Sequence, residues 1–228
     1  MHAVILAAGE GSRMGPHTDE VPKAFLELSD RTLYEHQRAV LDDHVDDVTI
    51  TLGYAAEHVL DRIGSATAIV LDDWDDYDNA ESLRRALRRV EDDVLVLNGD
   101  VVVASTVVET LSRRFRSAPA GRNVVGCLPG HQEGSTAIRC DDSGIVTEYG
   151  MVRGHQHAGI GIIDGSTIEA IERFLSHHRE EWYPVVYPEF ETEMVAVDPN
   201  DHVEINRPTD VVDARRKVSS IATGEADA

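Results

Sequence analysis

The sequence predicts an α/β fold built on a mostly parallel, doubly wound sheet sandwiched by helices, with a small antiparallel extension. Three observations predict it. Apolar runs of strand length alternate with amphipathic stretches of helix length up to about residue 128. The first strand opens straight into a glycine-bearing loop and an aspartate follows the fourth, at the strand ends where open α/β sheets gather their ligand contacts. From Ser135 to Asp164 the period shortens to brief alternating strands broken by turn signals at Asp141-Asp142-Ser143-Gly144 and Tyr149-Gly150.

Taken in order, strands are expected at Ala3–Ala7, Asp47–Leu52, Ala66–Leu71 and Val94–Leu97. Helices are expected between them at Thr32–Asp43, Ala55–Ile63 and Ala80–Val90, the last with Leu83, Leu87 and Val90 on one stripe. A helix over Ser105–Arg116 and a strand over Asn123–Leu128 follow Asp100. Beyond the antiparallel stretch come a helix at Ser166–His177, a strand at Glu193–Val197 and a helix from Pro208, with Pro in its first turn, to about Lys217. Residues 218–228 are small and polar and are expected to form a flexible tail. With no repeats or low-complexity linker, one domain over 1–217 is the economical reading.

Composition narrows the function. The chain has 228 residues, 21 Lys plus Arg against 42 Asp plus Glu, and a formal charge of −21. That charge repels phosphate backbones and anionic lipid heads, which argues against nucleic-acid and membrane-surface partners. The acids are spread from Glu10 to Asp227, and only Lys23 and Lys217 among the 21 cations are lysines. A surface adapted to molar salt, as in a halophile, accounts for both features; an acidic surface for a basic partner is the alternative. Cys127 and Cys140 lack disulfide-framework or zinc spacing, and no run approaches the roughly 18 apolar residues of a membrane span. A cytoplasmic protein is expected, with homo-oligomerisation left open.

The most informative segment is Leu6-Ala7-Ala8-Gly9-Glu10-Gly11-Ser12-Arg13-Met14-Gly15, followed by Pro22-Lys23. A dinucleotide fingerprint needs glycine at 14, and a Walker loop needs glycine there followed by Lys and Ser/Thr; Met14 defeats both. What remains is a long loop whose bare backbone N–H groups can wrap a triphosphate, with Arg13 and Lys23 as counter-charge. A lysine at 23, in a chain that otherwise uses arginine, suggests a position where a compact point charge is needed and a planar fork does not fit.

The stretch Leu6–Met14 with Pro22-Lys23, Leu26 and Leu28 resembles the LAAGxGxRM…PKxxLxL signature of the nucleotidyltransferases that make activated sugars and alcohols. The resemblance continues at Leu52-Gly53-Tyr54 and Asn98-Gly99-Asp100, and at Glu204-Ile205-Asn206-Arg207-Pro208-Thr209-Asp210. It implies a Rossmann-like, GT-A-like fold with a nucleotide-binding half of about 1–128 and an acceptor-binding half of about 129–217. It implies transfer of a nucleotidyl group from an NTP to a phosphorylated acceptor, with Mg²⁺ and release of pyrophosphate. Catalytic roles then fall to Arg13, Lys23 and Asp100, and metal ligation to Asp100 and Asn206, where many members carry Asp. A turn-forming or capping role is the alternative for Asn206.

Nucleotide contacts are expected from Leu6, Ala7, Ala8, Gly9, Gly11, Ser12, Arg13, Lys23, Gly53, Tyr54, Asn79 and Ser82. The Asn79-x-x-Ser82-Leu83 pattern resembles the choline-phosphate and inositol-phosphate cytidylyltransferase branch and favours CTP, although Asn79 could equally cap a helix. Acceptor contacts are expected from Glu148, Arg153, His157 and Gly159; Tyr149 stands where many sugar-1-phosphate members place Lys. A hydroxyl-rich sugar or polyol phosphate is the favoured acceptor. Choline phosphate is an alternative, with Trp74, Tyr77, Trp182, Tyr183 and Tyr187 available as aromatic walls. Guanylyl transfer to the molybdenum cofactor and a non-catalytic regulatory subunit are further alternatives.

Overall fold

Alternation along the first strand divides the molecule into two apolar layers. In the computed structural model, which describes residues 1–130 and 136–223, strand β1 (His2–Ala7) sends Ala3, Ile5 and Ala7 into one cluster and Val4 and Leu6 into the other. The period of two in a pleated strand covered on both faces produces this division. A hairpin of β2 (Glu27–Leu28) and β3 (Arg31–Thr32) leads into helix α1 (Leu33–Leu41), started by a capping box between Thr32 and Glu35. Then come β4 (Asp47–Leu52), β5 (Thr67–Val70), α2 (Asn79–Leu87), β6 (Val94–Asn98), β7 (Val101–Val103) and α3 (Ser105–Ser117). Tyr34 and Leu41 of α1 and Val107, Val108 and Leu111 of α3 cover the first face.

The second half adds β8 (Asn123–Leu128), β9 (Ala137–Cys140), β10 (Val146–Gly150), β11 (Gln156–Ile163), α4 (Ile168–Leu175), α5 (Val186–Glu189), β12 (Thr192–Ala196), β13 (His202–Glu204) and α6 (Asp210–Thr223). The central sheet has the order β12-β8-β11-β6-β1-β4-β5, and β11 alone runs against its neighbours. Leu83, Ala86 and Leu87 of α2 and Ile168, Ile171 and Leu175 of α4 cover the second face. Each fully buried Leu or Ile among them is worth about 1.5–3 kcal/mol. The two halves of the chain therefore share one sheet.

Several boundaries differ from expectation. Ala55–Ile63 forms a single 3₁₀ turn at Ala56–His58: Ala55 takes a left-handed φ of 51° and Val59 leaves the helical region at φ −131°. Ala56, Val59 and Ile63 are buried all the same, which is why their spacing reads as a helix. Only β9 and β10 make the antiparallel hairpin, while the following strand, β11, enters the main sheet. Ser135 lies outside the described residues. The last helix starts at Asp210, beyond Pro208, and runs to Thr223, six residues past Lys217; 224–228 are not described.

Two long-range contacts carry the fold to the cleft. The β7–β13 ribbon, with Ile205 N donating to Asp100 O at 3.0 Å, brings the segment after Glu204 beside the end of β6. Buried Gln37 of α1 donates through Nε2 to Asn98 O at 2.8 Å and Val101 O at 2.6 Å, pinning the turn that presents Asp100. Gln37→Leu leaves both carbonyls without that donor and is expected to cost about 1–3 kcal/mol, read as a lowered urea midpoint with unchanged slope. An unchanged midpoint would show that the turn does not depend on Gln37.

Candidate active site

The chain leaves β1 at Ala7 and crosses the carboxyl end of the sheet as an open loop. Tyr54 N donates to Ala8 O at 3.0 Å and Gly99 N to Leu6 O at 2.8 Å, so the loop is tied to the ends of β4 and β6. Gly11 sits at φ 68°, and Gly15 at φ 55°, conformations that side chains rarely tolerate. Met14 is fully buried against Leu28, Leu33, Val102, Val203 and Ile205 in a third apolar cluster that includes Ala214 of α6. The loop is thus anchored by its apolar end while its glycines stay bare.

A cleft of about 400 Å³ opens above it. Leu6, Ala7, Ala8, Gly9, Gly11, Arg13 and Lys23 form one side, Trp74, Tyr77, Asn79 and Ser82 the other, and Asp100, Glu204 and Asn206 line it as well. A cavity of about 730 Å³ continues toward the second half, sharing Arg13, Asn79, Trp182, Glu204 and Asn206 and adding Tyr149, Met151, Gln156, His157 and Arg207. Lys23 Nζ donates to Asp100 Oδ2 at 2.8 Å and to Asn206 Oδ1 at 3.3 Å. Two hard oxygens from distant parts of the chain therefore converge on one cation, the donor set and number that Mg²⁺ takes from proteins. Asp210 Oδ2 accepts from the N–H groups of Asn206 and Arg207 at 2.8 Å each, which fixes the turn before α6, and the Asn206 side chain faces Lys23.

Asn79 does not cap α2; Asp78 does, and Asn79 Oδ1 accepts from Tyr183 N at 2.7 Å. Gly53 and Tyr54 stand behind the cleft wall. A Cβ on Gly53 would lie 2.3 Å from Trp74 Cβ, and Tyr54 meets the Trp74 ring edge-on at 5.5 Å. Ser12 is exposed at the start of the 3₁₀ segment. On the other side, Glu148 pairs with Arg139, and neither Glu148 nor the exposed Arg153 is among the residues that line the two cavities. Gly159, at φ 69° where the β11–β8 register slips, packs against β7: a Cβ there would lie 2.7 Å from Val101 Cγ2. His157 lines the larger cavity, in edge contact with Tyr183 at 5.5 Å, and burial pushes its imidazole down to about 3, so it is neutral at ordinary pH.

Glu204 has no expected role, yet it lines both cavities and accepts from Gln156 Nε2 at 3.3 Å. Burial, then the nearby charge of Asp100, raises its carboxyl above the usual range. Its place two residues before Asn206, within the same Glu204–Asp210 motif, was the available signal. Glu81 was also missed. Fully buried, it accepts from Arg84, Arg85 and Arg179 at 2.6–3.0 Å, and Arg179 stacks 3.7 Å over Tyr77. Together with Asp78 N donating to Arg179 O at 3.1 Å and Ala80 N to Glu181 O at 3.2 Å, this cluster clamps the start of α2 to the segment carrying Trp182.

The sheet, and a cleft at its carboxyl edge beneath a bare glycine loop, place the chain in the Rossmann-like class of nucleotide-binding α/β domains. Within that class it belongs to the MobA-like NTP transferase domain family, whose profile matches residues 3–180. It is 31% identical over 156 residues to CMP-5'-(3-aminopropyl)phosphonate synthase of Streptomyces rubellomurinus, covering 65% of this chain and 24% of that protein. The chain thus spans about a quarter of that relative's length. Two solved structures share the fold. The CTP:phosphocholine cytidylyltransferase of Streptococcus pneumoniae aligns with TM-score 0.76 and 20% identity over 94% of this chain and 97% of that one. The inositol-1-phosphate CTP transferase of T. maritima aligns with TM-score 0.78 and 17% identity over 99% and 97%.

Burial works to raise the Glu81 carboxyl, but the hydrogen bonds from Arg84, Arg179 and Arg85 outweigh it and hold it down at about 2, below its ordinary 4.5. The folded state therefore binds this proton less readily than the unfolded one. The stabilisation, about 3 kcal/mol, is complete above pH 4.5 and fades as pH falls toward 2. Glu81→Gln is expected to lower stability by about 3–5 kcal/mol at pH 7 and to flatten the acid limb of the stability profile. An unaltered profile in urea titrations from pH 7 to pH 3 would contradict the clamp.

Proposed function

We propose that this chain catalyses Mg²⁺-dependent transfer of a nucleotidyl group, from CTP by preference, to a phosphorylated sugar or polyol with release of pyrophosphate. The observation that carries the reading is the convergence of Lys23 on Asp100 and Asn206 at the mouth of the bare glycine loop. An acceptor phosphate oxygen forms a bond to the α-phosphorus as the bond to the bridging oxygen of the leaving pyrophosphate breaks. Both reactants are anions, so the residues need only align them and neutralise charge. The N–H groups of Gly9 and Gly11 cradle the triphosphate, Arg13 meets its β- and γ-phosphates, and Lys23 meets the α-phosphate and the incoming oxygen. Asp100 and Asn206, with Glu204 adjacent, would hold a Mg²⁺ ion, which would add to the neutralisation of the developing charge. Neutral His157 and Gln156 offer hydrogen bonds to acceptor hydroxyls.

CTP is supported by Asn79 and Ser82 on the cleft wall and by the cytidylyl chemistry that the names of three relatives state for those proteins. Arg207 supplies the acceptor phosphate's counter-charge: it lines the larger cavity but not the nucleotide cleft, and among the described residues its guanidinium has no ion-pair partner within 4 Å. A second reading, an alkylammonium-bearing acceptor, is favoured by the apolar wall of Tyr149, Met151 and Trp182, the last two 71% and 47% exposed. The cytoplasm fits two free cysteines; among the described residues no helix is long and apolar enough to cross a membrane.

The test is pyrophosphate release from each NTP against a panel of sugar, polyol and alkylammonium phosphates in molar KCl with Mg²⁺. CTP with one acceptor class is expected to turn over, and silence across the panel would favour molybdenum-cofactor guanylyl transfer or a regulatory role. Lys23→Ala is expected to lower kcat by about 10²–10³-fold while leaving the fold intact; near-normal release would remove Lys23 from the chemistry. Arg207→Met is expected to raise the acceptor KM about tenfold while changing the CTP KM less than about twofold, and equal effects on both would remove its acceptor role.

A further inference from the structure

Lys23 stands where the metal's own ligands meet. Its ammonium is within hydrogen-bonding distance of both Asp100 Oδ2 and Asn206 Oδ1, at 2.8 and 3.3 Å, and the pair is largely enclosed, with side-chain exposures of 15% for Lys23 and 25% for Asp100. A Mg²⁺ ion sits about 2.0–2.1 Å from its oxygen ligands, so it needs the space this ammonium fills. The lysine stem is held there by the loop: a Cβ on Gly11 would lie 3.1 Å from Lys23 Cβ and 3.3 Å from its Cδ, so the stem runs directly over the bare backbone of residue 11.

We infer that Lys23 is the resident cation of the metal position, holding Asp100 and Asn206 until a divalent cation displaces it toward the phosphates of a bound nucleotide. The inference rests on the metal assignment proposed above and adds to it an exchange of cations. Without nucleotide, Lys23 balances Asp100 beside the partly buried Glu204. With nucleotide, the triphosphate on the Gly9–Arg13 loop offers the ammonium a second anionic partner close to the same stem, so the divalent ion enters as the lysine leaves. Metal without nucleotide must expel the lysine with nothing to receive it and binds weakly. The exchange also accounts for lysine at this position in an arginine-rich chain. A compact ammonium can pass between two oxygen sets on either side of one loop, and a planar fork cannot share that space.

The arithmetic is that of a site whose competent form is only partly populated: if Lys23 fills the position about 90% of the time, the apparent metal affinity falls about tenfold. The test is Mn²⁺ binding to nucleotide-free protein by electron paramagnetic resonance, in one salt, for wild type, Lys23→Met and Arg13→Met. Arg13→Met removes an equal charge from the same cleft without touching Asp100 or Asn206. Lys23→Met is expected to tighten Mn²⁺ binding about tenfold and Arg13→Met by less than about threefold, the size of a screened charge effect. Unchanged or weaker binding by Lys23→Met, or equal tightening by both variants, would overturn the exchange.

A second measurement needs no cleft variant. Because the chain has only two lysines, protein labelled with ¹³C at lysine Cε gives two resonances, assigned with Lys217→Arg. Mg²⁺ is expected to move the Lys23 signal and leave that of Lys217 in place; a stationary Lys23 at saturating Mg²⁺ would overturn the proposal. Both readouts are independent of turnover. A protein silent in the pyrophosphate panel can still show the exchange, and an active one can still fail to.

Discussion

One ammonium group holds three distant segments of this chain together. Lys23 comes from the end of the glycine loop, Asp100 from the turn after β6, and Asn206 from the segment after β13, and these side chains meet at 2.8 and 3.3 Å. Each arrives by a separate structural route. Met14 anchors the loop in an apolar cluster, Gln37 pins the Asp100 turn through two carbonyls, and the β7–β13 ribbon with Asp210 directs Asn206. The constraint is electrostatic: a carboxylate next to a second, partly buried carboxylate at Glu204 needs a cation, and the chain provides its own. In a protein of net charge −21, Arg13 and Lys23 are the two cations of a cleft that Asp78, Asp100 and Glu204 also line.

The cleft's far wall depends on a different device. Glu81 carries no chemistry at the cleft, but its bonds to three arginines join α2 to residues 179–183 and set Trp182 and Tyr183 across from the loop. Asn79 belongs to the same construction, because its side chain holds Tyr183 N while its position lines both cavities. Cavity lining and scaffold are here the same residues, so a change at either end of the clamp reaches both cavities together.

Much of this architecture was legible in the sequence for identifiable reasons. The buried strands β1, β6 and β8 are largely continuous apolar runs, which is how strands covered on both faces read, and β4 differs only by its buried Thr49 and Thr51. Lys23 stood out because lysine is nearly absent elsewhere. The single turn at Ala56–His58 was hidden because a buried loop can repeat apolar residues at helical spacing while a left-handed Ala55 breaks the backbone. Glu148 drew attention by resemblance, yet its neighbour Tyr149 faces the cleft, since consecutive strand residues point to opposite faces. Glu204 and Arg207 flank Asn206 in plain view, but only the pairing of β13 with β7 shows what they face. Glu81 could not be read locally, because Arg179 is nearly a hundred positions away.

The central claim, that Asp100 and Asn206 form a cation position served in turn by Lys23 and by a divalent metal, is tested most directly by anomalous diffraction. Crystals of the protein with Mn²⁺ and a non-hydrolysable CTP analogue are expected to show a manganese peak within coordination distance of both Asp100 and Asn206, with Lys23 Nζ withdrawn to the phosphates. A manganese bound to the triphosphate alone, with Lys23 still joined to Asp100, would contradict the account.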